Sequence, residues 1–439
     1  MEKTYPYKKY NSTQKICLGL YFFLPVLFAL FLMPTKYASL TQKLHIPPYF
    51  SPQNLLFGFI SLSIIITIVL NQKFTLIPKH LILSYLGFAI LVTTGIFYSS
   101  NPHYGQEKTI EFLTSTTLAC FAPFFLFRNL NVFERFLKTF IVLSILLSIF
   151  IFASSPYSFR FYNSNNSYPQ FQTTIGNNYL ALQYIVGISL LTMIYYFLFK
   201  QKIQKKIIFL AVLLCGLFAA ALLYSPGKNP ILSLFLTVVI MTFLSLKIEY
   251  QKILMKRKTL TYAVLIFLFG ALLLSTIGWM FVLRLQALLQ PGYYGQVERV
   301  ENTKNAIDVF LNHPFFGAGI GSFSDYAAIL NGIERMRYPH NIFLELASEM
   351  GFAGLLLFIL ILGFAFKQLF YLTKKYRPTQ YYPLPNAVLS FLIFTFLTSL
   401  TGGNINNPLL FVWIGIAYIL EPIIIKCMRT NNSLITGLR

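Results

Sequence analysis

The sequence predicts an all-α protein, a polytopic transmembrane helical bundle of about twelve spans, with residues 1–439 forming one integral membrane domain. Three observations lead there. Hydrophobic residues make up 56% of the chain and charged residues only 11%, less than half the roughly 25% charged share of a soluble domain. Runs such as SLSIIITIVL (61–70) and GLLLFILILGFAF (354–366) can be solvated only by lipid or by other helices. Basic residues also concentrate in alternate loops, as membrane topology requires. A β-barrel would instead alternate apolar and polar residues over about ten positions, and no stretch here does.

Taken in order, the spans are 16–33, 53–70, 81–97, 109–127, a short one at 139–153, 176–199, 207–224, 231–247, 259–281, 341–366, 386–402 and 408–425. The first follows Lys3, Lys8, Lys9 and Lys15 in the manner of a signal peptide. It has no small-x-small cleavage site and ends at Met33-Pro34, so it is read as a retained helix. With the N-terminus inside, 25 of the 35 lysines and arginines fall on the inner side. Five of the remaining ten lie in one loop, 282–340. The positive-inside rule therefore predicts that both termini are cytoplasmic and that 282–340 lies outside.

That rule also accounts for the net charge of +22, which in a soluble protein would suggest nucleic acid; no nucleic-acid partner is expected. The acidic residues of the spans, Glu111, Glu345, Glu349 and Glu421, lie toward span ends, an argument against an ion-coupled transporter, which keeps such groups at the midplane. Cys17, Cys120, Cys215 and Cys427 form no Cys-x-x-Cys pair, so neither a disulfide framework nor a zinc site is expected. No outward carboxylate cluster calls for a divalent metal, and no cofactor is expected.

Polar chemistry collects on the outside, in 154–178 and above all in 282–340. Within the latter, QVERVENTKNAIDVFLNHP (296–314) reads as an amphipathic surface helix. Val297, Val300, Ile307, Phe310 and Leu311 share one side, with Glu298, Glu301, Asn302 and Asp308 opposite. Arg299 falls at the rim of the apolar side, near Phe310, level with lipid headgroups.

RVENTKNAIDVFLNHPFFGAGIGSF (299–323), followed by HNIFLELASEMGFAGLLLF (340–358), resembles the signature region of the bacterial O-antigen ligase and polymerase superfamily. Arg299, His313-Pro314, Gly317, Gly319 and Gly321, then His340-Asn341, Glu349, Gly351 and Gly354 carry the resemblance. TIGNNYLALQ (174–183), YSSNP (98–102) and SLTGGNINNPLLFVWIGIAYIL (399–420) extend it. Where the family commonly has Ser-Arg-Gly between the seventh and eighth spans, this chain has YSPGKNP (224–230), with Lys228 two positions from the expected arginine.

The resemblance implies transfer of a glycan from undecaprenyl-pyrophosphate to an acceptor hydroxyl at the periplasmic face of the inner membrane. Arg284, Arg299 and Lys228 are the pyrophosphate candidates, because charge grows on that leaving group and a guanidinium fork pairs two of its oxygens. Arg160, Arg335 and Arg337 stand in reserve. His340 is the candidate general base, placed at an apparent helix start whose dipole disfavours imidazolium. Asn341 and Glu345, one turn apart, share a polar stripe that orients the loop. Glu349 with Gly351 and Gly354 packs the helix, His313 caps the surface helix, and Asn177 and Asn178 either bind sugar or cap the sixth span. The expected reaction is O-antigen ligation to lipid A-core in lipopolysaccharide synthesis. O-antigen polymerisation, O-glycan transfer to protein and, from another class, lipid-linked oligosaccharide flipping remain alternatives.

Overall fold

The computed structural model describes residues 23–33, 51–69, 75–158, 179–199, 205–224, 229–245, 247–249, 252–254, 294–326, 338–377 and 379–436. The expected ninth span, 259–281, lies outside them. The described residues are helical apart from loops and one small antiparallel hairpin, β1 (Lys247–Glu249) with β2 (Lys252–Leu254). After a helical segment at 23–31 come α1 (Pro52–Val69), α2 (Lys79–Thr94) and α3 (Pro102–Leu126). They are followed by α4 (Leu130–Ser158), α5 (Tyr179–Phe199), α6 (Lys205–Tyr224), α7 (Asn229–Ser245), α8 (Tyr294–Asn312), α9 (Ile342–Lys375), α10 (Pro383–Gly402) and α11 (Pro408–Thr436). Among the described residues α1, α3, α9, α10 and α11 are each long and apolar enough to cross a bilayer.

α11 is the central post. From Leu409 to Leu420 its side chains are buried, and Trp413 meets Phe391 at 4.5 Å between ring centroids and Phe136 at 6.1 Å. α1 is the opposite case: Leu55, Phe59, Leu62, Ile65 and Ile68 are exposed. An apolar face turned outward is what lipid demands of a peripheral span, since hydrocarbon solvates it as well as a core does.

Two helices start earlier than hydropathy suggests. α4 begins at Leu130 rather than 139, because Phe133, Phe136 and Leu137 bury one side of a turn whose other side carries Glu134 and Lys138. α3 begins at Pro102 rather than 109, with Asn101 as cap accepting from Tyr104 N at 3.2 Å. That shift takes Lys108 out of a loop and into a buried helical turn.

α9 is not one rod. Gly351 has φ 61 and ψ −157, which divides it into 342–350 and 352–375. A straight helix would hold residues 343 and 358 about 22 Å apart, yet the Phe343 and Phe358 ring centroids are 5.9 Å apart. The chain therefore folds back on itself at Gly351. The backbone groups freed by the break are satisfied by 314–319, as a buried helix end requires. Ala318 N and Gly319 N donate to Ser348 O and Glu349 O at 2.9 and 3.0 Å, while Phe352 N and Ala353 N donate to Pro314 O and Phe315 O.

A side chain at Gly351 would need both a left-handed backbone and space already filled by Phe315 backbone at 2.6 Å. Gly351→Ala is therefore expected to destabilise by more than about 1 kcal/mol. Gly363→Ala, in open helix surface, should be neutral or stabilise by about 0.5–1 kcal/mol. Thermal unfolding of the detergent-purified variants measures both, and equal melting temperatures would contradict the break.

Candidate functional site

The glycine loop 317–321 does more than close the break. Gly317, Gly319 and Gly321 all have positive φ, which lets the loop press against the C-terminal end of α2 and the N-terminal end of α3. Ile320 N donates to Gly95 O at 3.2 Å, Ser99 Oγ donates to Ile320 O at 2.8 Å, and Tyr98 OH donates to Phe316 O at 3.0 Å. Beyond it Ser100 Oγ donates to Asp325 Oδ2 at 2.6 Å, and Asn101 Nδ2 to Ser324 Oγ at 3.1 Å. The YSSNP and GAGIGSF motifs, more than 200 residues apart, are thus one piece of structure.

Behind this loop lies a buried ion cluster. Lys108 Nζ pairs with Glu345 Oε1 and, at 2.5 Å, with Glu349 Oε2; all three side chains are at most 1% exposed. Glu345 Oε2 accepts from Ile405 N at 2.8 Å. Asn406 Nδ2 donates to Lys108 O at 3.0 Å and to Glu111 Oε2 at 3.2 Å. The GGNINNP break between α10 and α11 is so tied to α3 and to 342–350. Desolvating three charges costs several kcal/mol per ion, and only tight mutual pairing offsets it.

At the free end of 342–350 stands His340. It is the one non-glycine with positive φ among the described residues, at 57, a conformation that costs about 1–3 kcal/mol and persists only where neighbours impose it. Tyr338 meets its ring edge-on at 4.6 Å. Asn341, in extended conformation, caps the helix: its Oδ1 accepts from Phe343 N at 2.9 Å and Leu344 N at 3.3 Å. Burial holds the imidazole down at about 4, and the positive charge of Arg299 adds to the effect. His340 is thus neutral at pH 7, but the cause differs from the expected helix dipole: the helix begins two residues later, at Ile342. Because this value lies below the unfolded 6.5, the neutral ring adds stability that is present above about 6.5 and lost as pH falls through about 4.

Arg299 is exposed on α8 and forms no ion pair among the described residues. α8 docks on 342–350 by Asn302, Ala306 and Val309, with Ala306, Phe323 and Leu344 packed together. This corrects two expectations. Asn302, assigned to the polar side, is buried, whereas Val300, Ile307 and Leu311 stay exposed.

Of the expected site residues, the structure brings together His340, Asn341 and Arg299, with Glu345 beneath them. Glu345 does not share a side-chain stripe with Asn341; only its N–H reaches Asn341 O, at 3.0 Å. Glu349, expected to pack, is half of an ion pair. Arg284, Lys228, Asn178, Asn177, Arg160, Arg335 and Arg337 lie outside the described residues. Sequence reasoning missed Lys108. Its signal was available: two glutamates four apart on an apolar helix share one face and require a buried cation.

These features define a helical membrane protein with a broken helix and a strained, neutral histidine beside an exposed guanidinium. A family model described as O-antigen ligase matches residues 177–359, so this segment, which holds the motifs from Arg299 to Gly354, is similar to the O-antigen ligase family. No curated protein matches the chain.

Arg299→Gln is expected to raise the His340 pKa above about 4 while leaving it below 6.5, because burial, the larger cause, remains and only the opposing charge is removed. Nuclear magnetic resonance of imidazole-labelled protein reads this directly. An unchanged titration would mean that Arg299 does not act on His340.

Proposed function

We propose that the chain is an O-antigen ligase of the bacterial inner membrane, a metal-independent transferase moving O-antigen from undecaprenyl-pyrophosphate to lipid A-core at the periplasmic face. In this reading residues 1–439 form one domain of about twelve spans, both termini are cytoplasmic, and 282–340 is the periplasmic loop. The observation that carries it is the pairing of a neutral His340 with the exposed Arg299 inside the matched segment. A base must be unprotonated, and a diphosphate must find a cation; here one neighbourhood offers both.

The acceptor oxygen attacks the anomeric carbon of the donor as its proton passes to His340. The bond from that carbon to the phosphate oxygen breaks, and undecaprenyl-pyrophosphate leaves with its negative charge on Arg299, Arg284 and Lys228. Asn178 and Arg337 are assigned to sugar binding from the sequence motifs alone, while Asn341 and Glu345 support the base. Ligase is preferred to polymerase because the motif rests on one large loop that ends at His340, with Gly351 following in His-x10-Gly spacing, whereas polymerases of this kind more often use arginine-led motifs in two loops. A deletion strain tests the choice through its lipopolysaccharide ladder. Loss of all O-chain with carrier-linked polymer accumulating fits a ligase; core bearing a single repeat means polymerase. A normal ladder with missing glycoprotein bands means protein transfer.

Donor binding also tunes the base. Burial is the main cause of the depressed His340 pKa and Arg299 adds to it; a pyrophosphate on Arg299 cancels that added part, so the imidazole becomes more basic when the donor is present. The acid limb of kcat, which reports the loaded enzyme, should therefore lie above that of kcat/KM, which belongs near pH 4. Coincident limbs would break this link between donor and base.

A further inference from the structure

Lys108 is a cation on the same side as the proposed site, yet its side chain is 1% exposed and held by two carboxylates. It has no access to a phosphate. Its surroundings show instead what it controls. Segment 342–350 is too short to be stable alone, and it hangs between a glycine break at 351 and a left-handed residue at 340. Such a segment can turn about its own axis. Glu345 and Glu349 project from one face, one turn apart, so a single ammonium that grips both fixes that rotation.

The grip is anchored at both ends of the cluster. Asn406 holds the Lys108 carbonyl at 3.0 Å, and Glu345 also holds Ile405 N at 2.8 Å. Lys108 and Ile405 lie outside the matched segment 177–359, whereas both glutamates and His340 lie within it. The orientation of the matched histidine is therefore set by residues of α3 and of the α10–α11 break. Tyr338 joins the two ends: its ring meets that of His340 edge-on, and burial, followed by the Glu345 charge, pushes its phenol up while Lys108 opposes.

We propose that Lys108 is a positioning residue for the transfer reaction: by bridging Glu345 and Glu349 it fixes the rotation of 342–350 and so holds His340 in its left-handed conformation beside Arg299. The proposal rests on the reading of His340 as the base. A displacement of about 1 Å at a reacting group can lower turnover about 100-fold. Lys108 therefore acts on kcat, while donor affinity, which depends on exposed cations, is left nearly unchanged.

The test uses the full-length protein in liposomes with purified polyprenyl-diphosphate-linked O-antigen and lipid A-core, with rates expressed per folded molecule. Lys108→Met is expected to lower kcat about 10- to 100-fold with donor KM within about threefold. Lys108→Glu and Glu349→Lys each spoil the pairing. The double variant Lys108→Glu/Glu349→Lys keeps the same charges with one pair reversed, and it should regain at least a tenth of wild-type kcat. A folded Lys108→Met with wild-type kcat would overturn the proposal. If that variant does not fold, the reversed pair decides: recovered kcat supports positioning, and a folded double variant no faster than its single parents overturns it. His340→Asn, run in parallel, separates the two layers. A wild-type rate there ends the base reading itself, whereas a reduced rate there together with an unaffected Lys108→Met ends only the positioning claim.

Discussion

One ammonium between two carboxylates, out of reach of water, is the contact on which the rest of the site depends. Removing one partner of such a buried group leaves an uncompensated charge and costs about 3–5 kcal/mol, whereas the assembled cluster contributes little net stability. Its worth is therefore in specifying one arrangement. α3, the break at 403–407, the glycine loop and segment 342–350 come from four distant parts of the chain, and each makes a bond to the cluster or to its backbone. A helix broken at Gly351 would otherwise have several ways to lie against α10 and α11.

The chemistry follows from that scaffold. His340 sits beyond the cap of a short helix whose orientation is fixed from behind, and its backbone strain is borne by the same contacts. Burial and a neighbouring guanidinium keep the ring neutral far below pH 7. A base with so low a value is always unprotonated but intrinsically weak. In the proposed reaction an anionic donor neutralises Arg299 and so strengthens the base, which couples proton removal to the presence of the leaving group.

Much of this was legible in the sequence. Long apolar runs located the described helices, although α3 and α4 start seven and nine residues earlier than expected, and the order Arg299, glycine turn, His340, Glu349, Gly351 lies within the segment that the family model matches. What escaped notice did so for physical reasons. Hydropathy averages over about a turn or more, so it is blind to a single left-handed residue, and α9 read as one span. The same averaging began the fourth span at 109 and left Lys108 in the preceding loop, although two facing carboxylates hold it in a buried helical turn. The surface helix failed differently. Its 3.6-residue pattern located Val300, Ile307 and Leu311 on one side, but near a bilayer an apolar side is as content in lipid as in a core, so periodicity alone does not say which face docks.

The central claim is that a neutral, positioned His340 removes the acceptor proton. It is tested most directly by the single-turnover transfer rate of purified His340→Asn with donor and acceptor supplied. Asparagine tolerates the left-handed backbone, so folding and donor binding should survive while the rate falls by roughly 10²–10⁴. A folded variant that binds donor and transfers at the wild-type rate would contradict the account.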